Sequence, residues 1–172
     1  MNPSRAQLAE AFDRAFAERA EGFEGRARGP DDEPFLLDCA VACSTMRGLL
    51  PEPMLVQQAE LQRVGHDSGF PDALHWIVLV GGAPIGHARM AWSSVDTHLV
   101  DIAVLPEHRG IGVARALLGA WLAVADGHGL TATLQVFHDN PARQIYARLG
   151  FIETAPDPYA AFIDMHRRPV QP

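Results

Sequence analysis

The chain has 172 residues, 48% hydrophobic and 20% charged, which excludes disordered and fibrous classes and fits one globular domain able to fold without metal or disulfide staples. A formal net charge of −7 argues against a nucleic-acid-binding face. All 14 basic residues are arginine, so a lysine Schiff base, a Walker lysine and a self-acetylated lysine are excluded.

Residues 3–21 read as an amphipathic helix. Ser4 and Gln7 have capping-box spacing, and Leu8, Phe12 and Phe16 recur on one face. Arg5, Glu10, Asp13 and Arg14 rule out a signal peptide here, no apolar run approaches the roughly 18 residues of a membrane span, and a cytoplasmic location is expected. A weak strand is expected near 23–28. A second helix runs from Pro34 to about Leu49, with Asp31 or Asp32 as cap. It carries Cys39 and Cys43, four apart on one face, as small buried hydrophobes. Two cysteines make no disulfide framework, which fits a reducing compartment. After the proline turn "LLPEPM" (49–54), a third helix covers about 53–65.

From residue 74 the pattern changes period. "LHWIVLV" (74–80) is an apolar, β-branched run suited to an interior strand. "GGAP" (81–84) turns the chain into a strand over 85–92. A strand over 98–105 ends at Pro106, and 110–128 is the clearest helix, stopped by Gly127 and Gly129. Then come a strand at 131–137, a helix at 140–150 with Asn140 as cap, and two last strands, 151–154 and 160–167. The Arg167–Arg168 end reads as a solvated strand terminus. The order is that of a single mixed α/β domain.

The most informative segment is "VLPEHRGIGVARALL" (104–118). A strand enters a turn with Gly110 and Gly112 and goes straight into a helix. Free N–H groups and the helix dipole at that end suit a phosphate or pyrophosphate, with Arg109 and Arg115 adding charge at the rim. A dinucleotide fingerprint fails, because Arg115 stands where a third small residue is needed and no acid follows at the required distance. The P-loop fails for want of lysine. The eight histidines form no H-E-x-x-H spacing and pair with no C-x-x-C, so no metal site is expected.

"RGIGVARALL" resembles the Arg/Gln-x-x-Gly-x-Gly/Ala signature of the GNAT family of N-acetyltransferases, carried by Arg109, Gly112 and Ala114. "NPARQIYARLGF" looks like that family's second motif, carried by Asn140, Ala142, Tyr146, Gly150 and Phe151. The stretches at 31–47 and 71–90 are similar to a small bacterial subgroup. The resemblance implies an α/β fold with a mixed, mostly antiparallel central sheet of six to seven strands flanked by helices. Residues 1–22 are an N-terminal helical extension, and 23–170 the acetyltransferase domain. It further implies acetyl-CoA as co-substrate and transfer to a primary amine by direct attack in a ternary complex. The partner is a small-molecule or peptide amine acceptor, not a nucleic acid or membrane, and family habit favours a homodimer.

By the same resemblance, the cofactor lies on Ile102, Ala103, Val104, Arg109, Gly110, Ile111, Gly112, Val113, Ala114, Arg115, Asn140, Ala142 and Tyr146. Tyr146 is the candidate acid or sulfur-positioning group. Asp101 is the candidate base, with His98, His138 and Glu107 as alternatives. Strand alternation puts Asp101 with Ala103 and Leu105, opposite Val100, Ile102 and Val104. The acceptor pocket is expected between 49–54 and 155–159, with Glu52 and Asp157 attracting a cation and Trp76, Trp92 or Tyr159 as walls. Two other classes stay open: a non-catalytic acyl-CoA-binding sensor or scaffold, and an interaction protein docking through residues 3–21.

Overall fold

A computed structural model describes residues 3–155, 157 and 159–170. Helix α1 (Arg5–Ala17) starts on the expected capping box: Ser4 Oγ accepts from the Gln7 N–H, and Gln7 Oε1 from the Ser4 N–H. It ends before residue 21 because Arg19 folds back to donate to the Ala15 carbonyl at 2.7 Å. Its aromatic face is core. Phe12 and Phe16 are fully buried, edge-on to Trp76 at ring separations of 5.4 and 6.2 Å, and α1 packs on the long helix α4 (Val113–Gly127). The weak strand forms as β1 (Glu24–Ala27). Gly25 there has no alternative, since a Cβ would lie 2.3 Å from Trp76 Nε1.

Helix α2 (Glu33–Cys43) stops short of Leu49 because Ser44 turns extended. Asp32 sits at its cap position without capping it. Its carboxylate instead takes a bidentate pair from Arg26 at 2.6 and 2.7 Å and the Gly29 N–H at 2.7 Å. Helix α3 (Glu52–Gly69) outruns the expected stop at Gly65, because Asp67 in its last turn is tied to Arg89 at 2.7 Å. Tertiary pairing outweighs the modest cost of a mid-helix glycine.

The sheet is seven-stranded and holds β2 (Leu74–Val80), β3 (Ala83–Trp92), β4 (Asp96–Val104), β5 (Thr131–Phe137), β6 (Ile152–Glu153) and β7 (Phe162–Arg167) in the order β1-β2-β3-β4-β5-β7-β6. Every neighbouring pair is antiparallel except β4 with β5. Helices α1 and α4 cover one face, and α2 with α3 the other end of the opposite face. A short helix, α5 (Ala142–Arg148), follows β5. No helix among the described residues is long and apolar enough to cross a membrane. Arg167 is no solvated terminus: it is largely buried, holds Asp126 of α4 bidentately at 2.8 and 2.9 Å and donates to the Leu149 carbonyl.

Two local features of β4 position everything that follows. It pairs with β5 only from Asp96–Leu99 against Thr131–Leu134, after which the parallel strands part. Its register with β3 slips between Arg89 and Met90, leaving Val100 as an extra, bulged residue. Past the bulge the expected alternation holds, Asp101 sharing a face with Ala103 opposite Ile102 and Val104; the residues before it change side. Leu99 faces the α4 side with Ile102, whereas Asp101 faces the α3 side with its partner Arg89.

Burial holds His66, His75, His87 and His98 neutral, His75 down to about 3 from an ordinary 6.5. These groups bind protons more readily once unfolded, so stability is full above about pH 6.5 and falls as pH drops. For His75 alone the loss is about 1.4 kcal/mol per pH unit through that window. Urea midpoints should therefore decline steadily from pH 7 to pH 5, and less steeply in a His75→Gln variant. Equal slopes in the two proteins would refute this assignment.

Candidate functional site

The turn leaving β4 makes an anion cradle. Gly110 and Gly112 have φ of 81° and 98°, in the left-handed region, and Gly112 is the residue before α4. A side chain at either would meet open space, so backbone conformation, not crowding, requires glycine. The first turn of α4 leaves its N–H groups aimed at that space, and its dipole adds positive potential. Arg115 stands exposed at the rim, and Arg109 anchors across the turn by donating from Nε to the Val104 carbonyl at 3.1 Å.

This cradle is one end of a cavity of about 680 Å³ that runs into the gap between β4 and β5. Ile102, Ala103, Val104, Arg109, Gly110, Gly112, Val113, Ala114, Arg115, Asn140, Ala142 and Tyr146 all line it. Ile111 does not line it: its side chain is 53% exposed. Pro141, not Asn140, holds the cap position of α5; Asn140 Oδ1 accepts from the Ala142 N–H at 2.9 Å one residue earlier, which leaves its amide N–H₂ for the cavity.

Sequence reasoning missed Cys43 and Thr45, which close this cavity from the end of α2. Cys39 is fully buried as expected, but Cys43 is only partly buried, with Sγ 3.3 Å from the Val104 carbonyl and 4.0 Å from Cys39 Sγ. The contact with Cys39 and the nearby Arg109 charge pull the Cys43 thiol down. A cysteine spacing alone carries no sign of which member reaches a cavity.

A second cavity, of about 480 Å³, lies on the α3 side of β4. It shares Ile102, Asn140 and Tyr146 with the first. Asp101 lines it, and Tyr146 is buried at the junction, its phenol pushed up to about 12 by burial and then by the Asp101 charge. His98 lines this cavity too, stacked on Phe70, with Nδ1 2.9 Å from Thr133 Oγ1. His138 and Glu107 line neither cavity.

The walls of the second cavity differ from those expected. None of Glu52, Asp157, Trp76, Trp92 or Tyr159 contributes. Trp76 is core under α1, and Pro156 and Pro158 of the 155–159 loop lie outside the described residues. The walls come instead from Gln62, His66 and Phe70 at the end of α3, Gln135 and Phe137 on β5, and Phe162 and Asp164 on β7. The parting of β4 from β5 opens the sheet there, a tertiary fact with no local sequence mark.

Behind Asp101 lies a third, small cavity of about 50 Å³ whose lining includes His66, His75, His87, Arg28 and Arg89. His87 Nδ1 is 3.1 Å from His75 Nε2, and His87 Nε2 is 3.9 Å from Asp101 Oδ2. Histidines that look scattered along the chain thus meet at one carboxylate.

The profile of the acetyltransferase (GNAT) family matches residues 44–151. No sequence relative is found among the curated proteins. Among solved structures, the chain is similar to the PaiA N-acetyltransferase of Thermoplasma acidophilum in complex with coenzyme A, at a TM-score of 0.66 and 18% identity over 86% of this chain and 99% of that one. It is similar to Ard1 from Thermoplasma volcanium, at a TM-score of 0.65 and 20% identity over 88% of this chain and 100% of that one. A third similar structure is a histone acetyltransferase HPA2 and related acetyltransferase from Corynebacterium glutamicum, at a TM-score of 0.66 and 19% identity over 88% and 99% of the respective chains. Likeness at such identities speaks for the fold.

Proposed function

Because the chain belongs to the acetyltransferase (GNAT) family, it is an acyltransferase with acetyl-CoA as co-substrate, and we propose that it moves the acetyl group to a primary amine by direct attack in a ternary complex. The observation that carries this reading is the meeting of two cavities at Ile102, Asn140 and Tyr146. One has the shape and donors for a nucleotide-bearing thioester. The other opens onto a carboxylate.

The donors fit the co-substrate. The N–H groups of the Gly110–Arg115 turn take the pyrophosphate. The edge of β4 past Leu99, unpaired on the β5 side, lies along the pantetheine arm at Ile102, Ala103 and Val104. Acetyl-CoA supplies a thioester carbonyl, and a β4 N–H polarises its oxygen. Asp101 takes a proton from the acceptor ammonium, directly or through water. Tyr146 donates toward the departing sulfur. Residues 1–22 are an added helical segment on the 23–170 acetyltransferase domain.

Calorimetric titration with acetyl-CoA, against dephospho-CoA and NAD, tests the first half, and thiol release over an amine panel the second. Selective binding and amine-dependent release are expected. Binding without release from any amine would leave a non-catalytic acyl-CoA-binding module. An Asp101→Asn variant should keep its acetyl-CoA affinity and lose about 10²-fold or more in kcat. An unchanged kcat would remove Asp101 from the base role.

A further inference from the structure

We infer that the acceptor is a linear diamine or polyamine without a carboxylate, its reacting amine beside Asp101 and Tyr146 and its second ammonium held at Asp164. The inference rests on the acetyl-transfer reading of the same site. Charge balance carries the first part. Asp32, Glu33, Asp67, Asp126 and Glu153 each face an arginine. Asp101 and Asp164, which both line the second cavity, have no arginine within ion-pair distance among the described residues; Arg89, across the β3–β4 ladder from Asp101, is tied to Asp67.

Among the described residues, the Asp164 carboxylate takes only the Gln135 Nε2 donor, at 3.0 Å. His87 Nε2 lies 3.9 Å from Asp101, and burial pushes that imidazole toward its neutral form. The two histidines in the cavity wall, His66 and His98, are also held toward neutrality by burial. Among the described residues no arginine lines the cavity, and the chain has no lysine. An acceptor carrying a carboxylate would bring a third negative charge to a wall that offers it no arginine among the described residues. This disfavours free amino acids and favours a cation.

Geometry carries the second part. Asp101 is on β4 and Asp164 on β7, with β5 between them. Their backbones are therefore at least two strand spacings, about 10 Å, apart. A short chain with an amine at each end can answer both carboxylates across that span. The far end is also built for an alkylammonium. Gln135 pairs with Asp164 and Phe137 with Phe162 across the β5–β7 ladder. The two rings lie 4.1 Å apart and are about half exposed, beside the carboxylate. Aromatic faces next to a carboxylate cover methylenes and attract a cation.

The test is steady-state thiol release by the full chain with acetyl-CoA and putrescine, cadaverine, butylamine, phenethylamine or ornithine. The diamines should exceed butylamine at least about tenfold in kcat/KM, as expected for one added charge-assisted contact. Ornithine, which is putrescine with a carboxylate, should fall below the diamines by a similar factor. Asp164→Asn should bring the diamine-to-butylamine ratio close to one, chiefly through the KM of the diamine. Phenethylamine or butylamine matching the diamines, or a preference that survives Asp164→Asn, overturns the inference. An acetyl-CoA titration of the same preparation separates the two levels. Binding without diamine turnover overturns the diamine assignment, and no binding overturns the reading beneath it.

Discussion

Replacing Tyr146 with phenylalanine should lower kcat about 10²–10³-fold while leaving acetyl-CoA affinity within about threefold of the parent. The ring is buried, packed edge-on to Phe151 at a ring separation of 6.0 Å, and Phe151 in turn stacks on Trp121. Removing one oxygen keeps that packing, so the fold and the cofactor cavity survive. The phenol is pushed up to about 12, which fixes the kind of help it gives. A thiol loses its proton near pH 8.5, so full transfer from a phenol at about 12 is uphill by roughly 3.5 pH units.

In the proposed mechanism Tyr146 is therefore a hydrogen-bond donor to charge building on sulfur, protonated throughout the working pH range, and its loss should resemble the loss of one oxyanion-hole donor. A consequence follows for the pH profile. No basic limb below about pH 11 should belong to Tyr146. Stopped-flow thiol release on the parent and Tyr146→Phe, from pH 6 to pH 10, checks both points. A basic limb that vanishes in the variant, or an unchanged kcat, would contradict the role.

The parts of the fold that were legible are those with local causes. Ser4 and Gln7 mark the start of α1 because a capping box is satisfied within four residues. Gly110 and Gly112 mark the cradle because only a glycine adopts positive φ there without strain. The apolar runs of β2 to β5 follow from period and composition, and the sheet formed from them has the mostly antiparallel order expected.

The parts that were not legible depend on how elements meet. Nothing in "HLVDIAV" announces that Val100 bulges, yet the bulge puts Leu99 on the face opposite Asp101. The acceptor cavity was expected at two loops. The cavity proposed for the acceptor opens instead where β4 leaves β5, so its walls come from α3, β5 and β7. Arg167 read as a solvated end because its partner Asp126 is 41 residues away. His66, His75 and His87 come from three elements and converge only in the folded chain.

Gly112→Val should weaken acetyl-CoA binding by about 10²-fold with little change in melting temperature. Gly112 sits at φ 98° and ψ 0°, immediately before α4. A β-branched residue there is strained by roughly 1–3 kcal/mol. A Cβ at this position would touch nothing within 4 Å, so no clash locks the strain in place. The turn relieves it by rotating toward negative φ, and the cradle's N–H groups then no longer converge. Each charge-assisted hydrogen bond to a phosphate oxygen is worth about 1.5–3 kcal/mol, so losing one or two accounts for the factor.

The loop is exposed and its apolar anchor, Val113, remains buried, so global stability is spared. Ile111→Ala is the matched control. That side chain lies outside the cavity, and its replacement keeps the backbone N–H, so affinity should hold. Calorimetric Kd values beside thermal melts on the two variants decide the matter. Parental affinity in Gly112→Val would mean that the pyrophosphate is not held by this turn. Equal losses in both variants would mean that the Ile111 side chain, rather than the backbone conformation at Gly112, matters for binding.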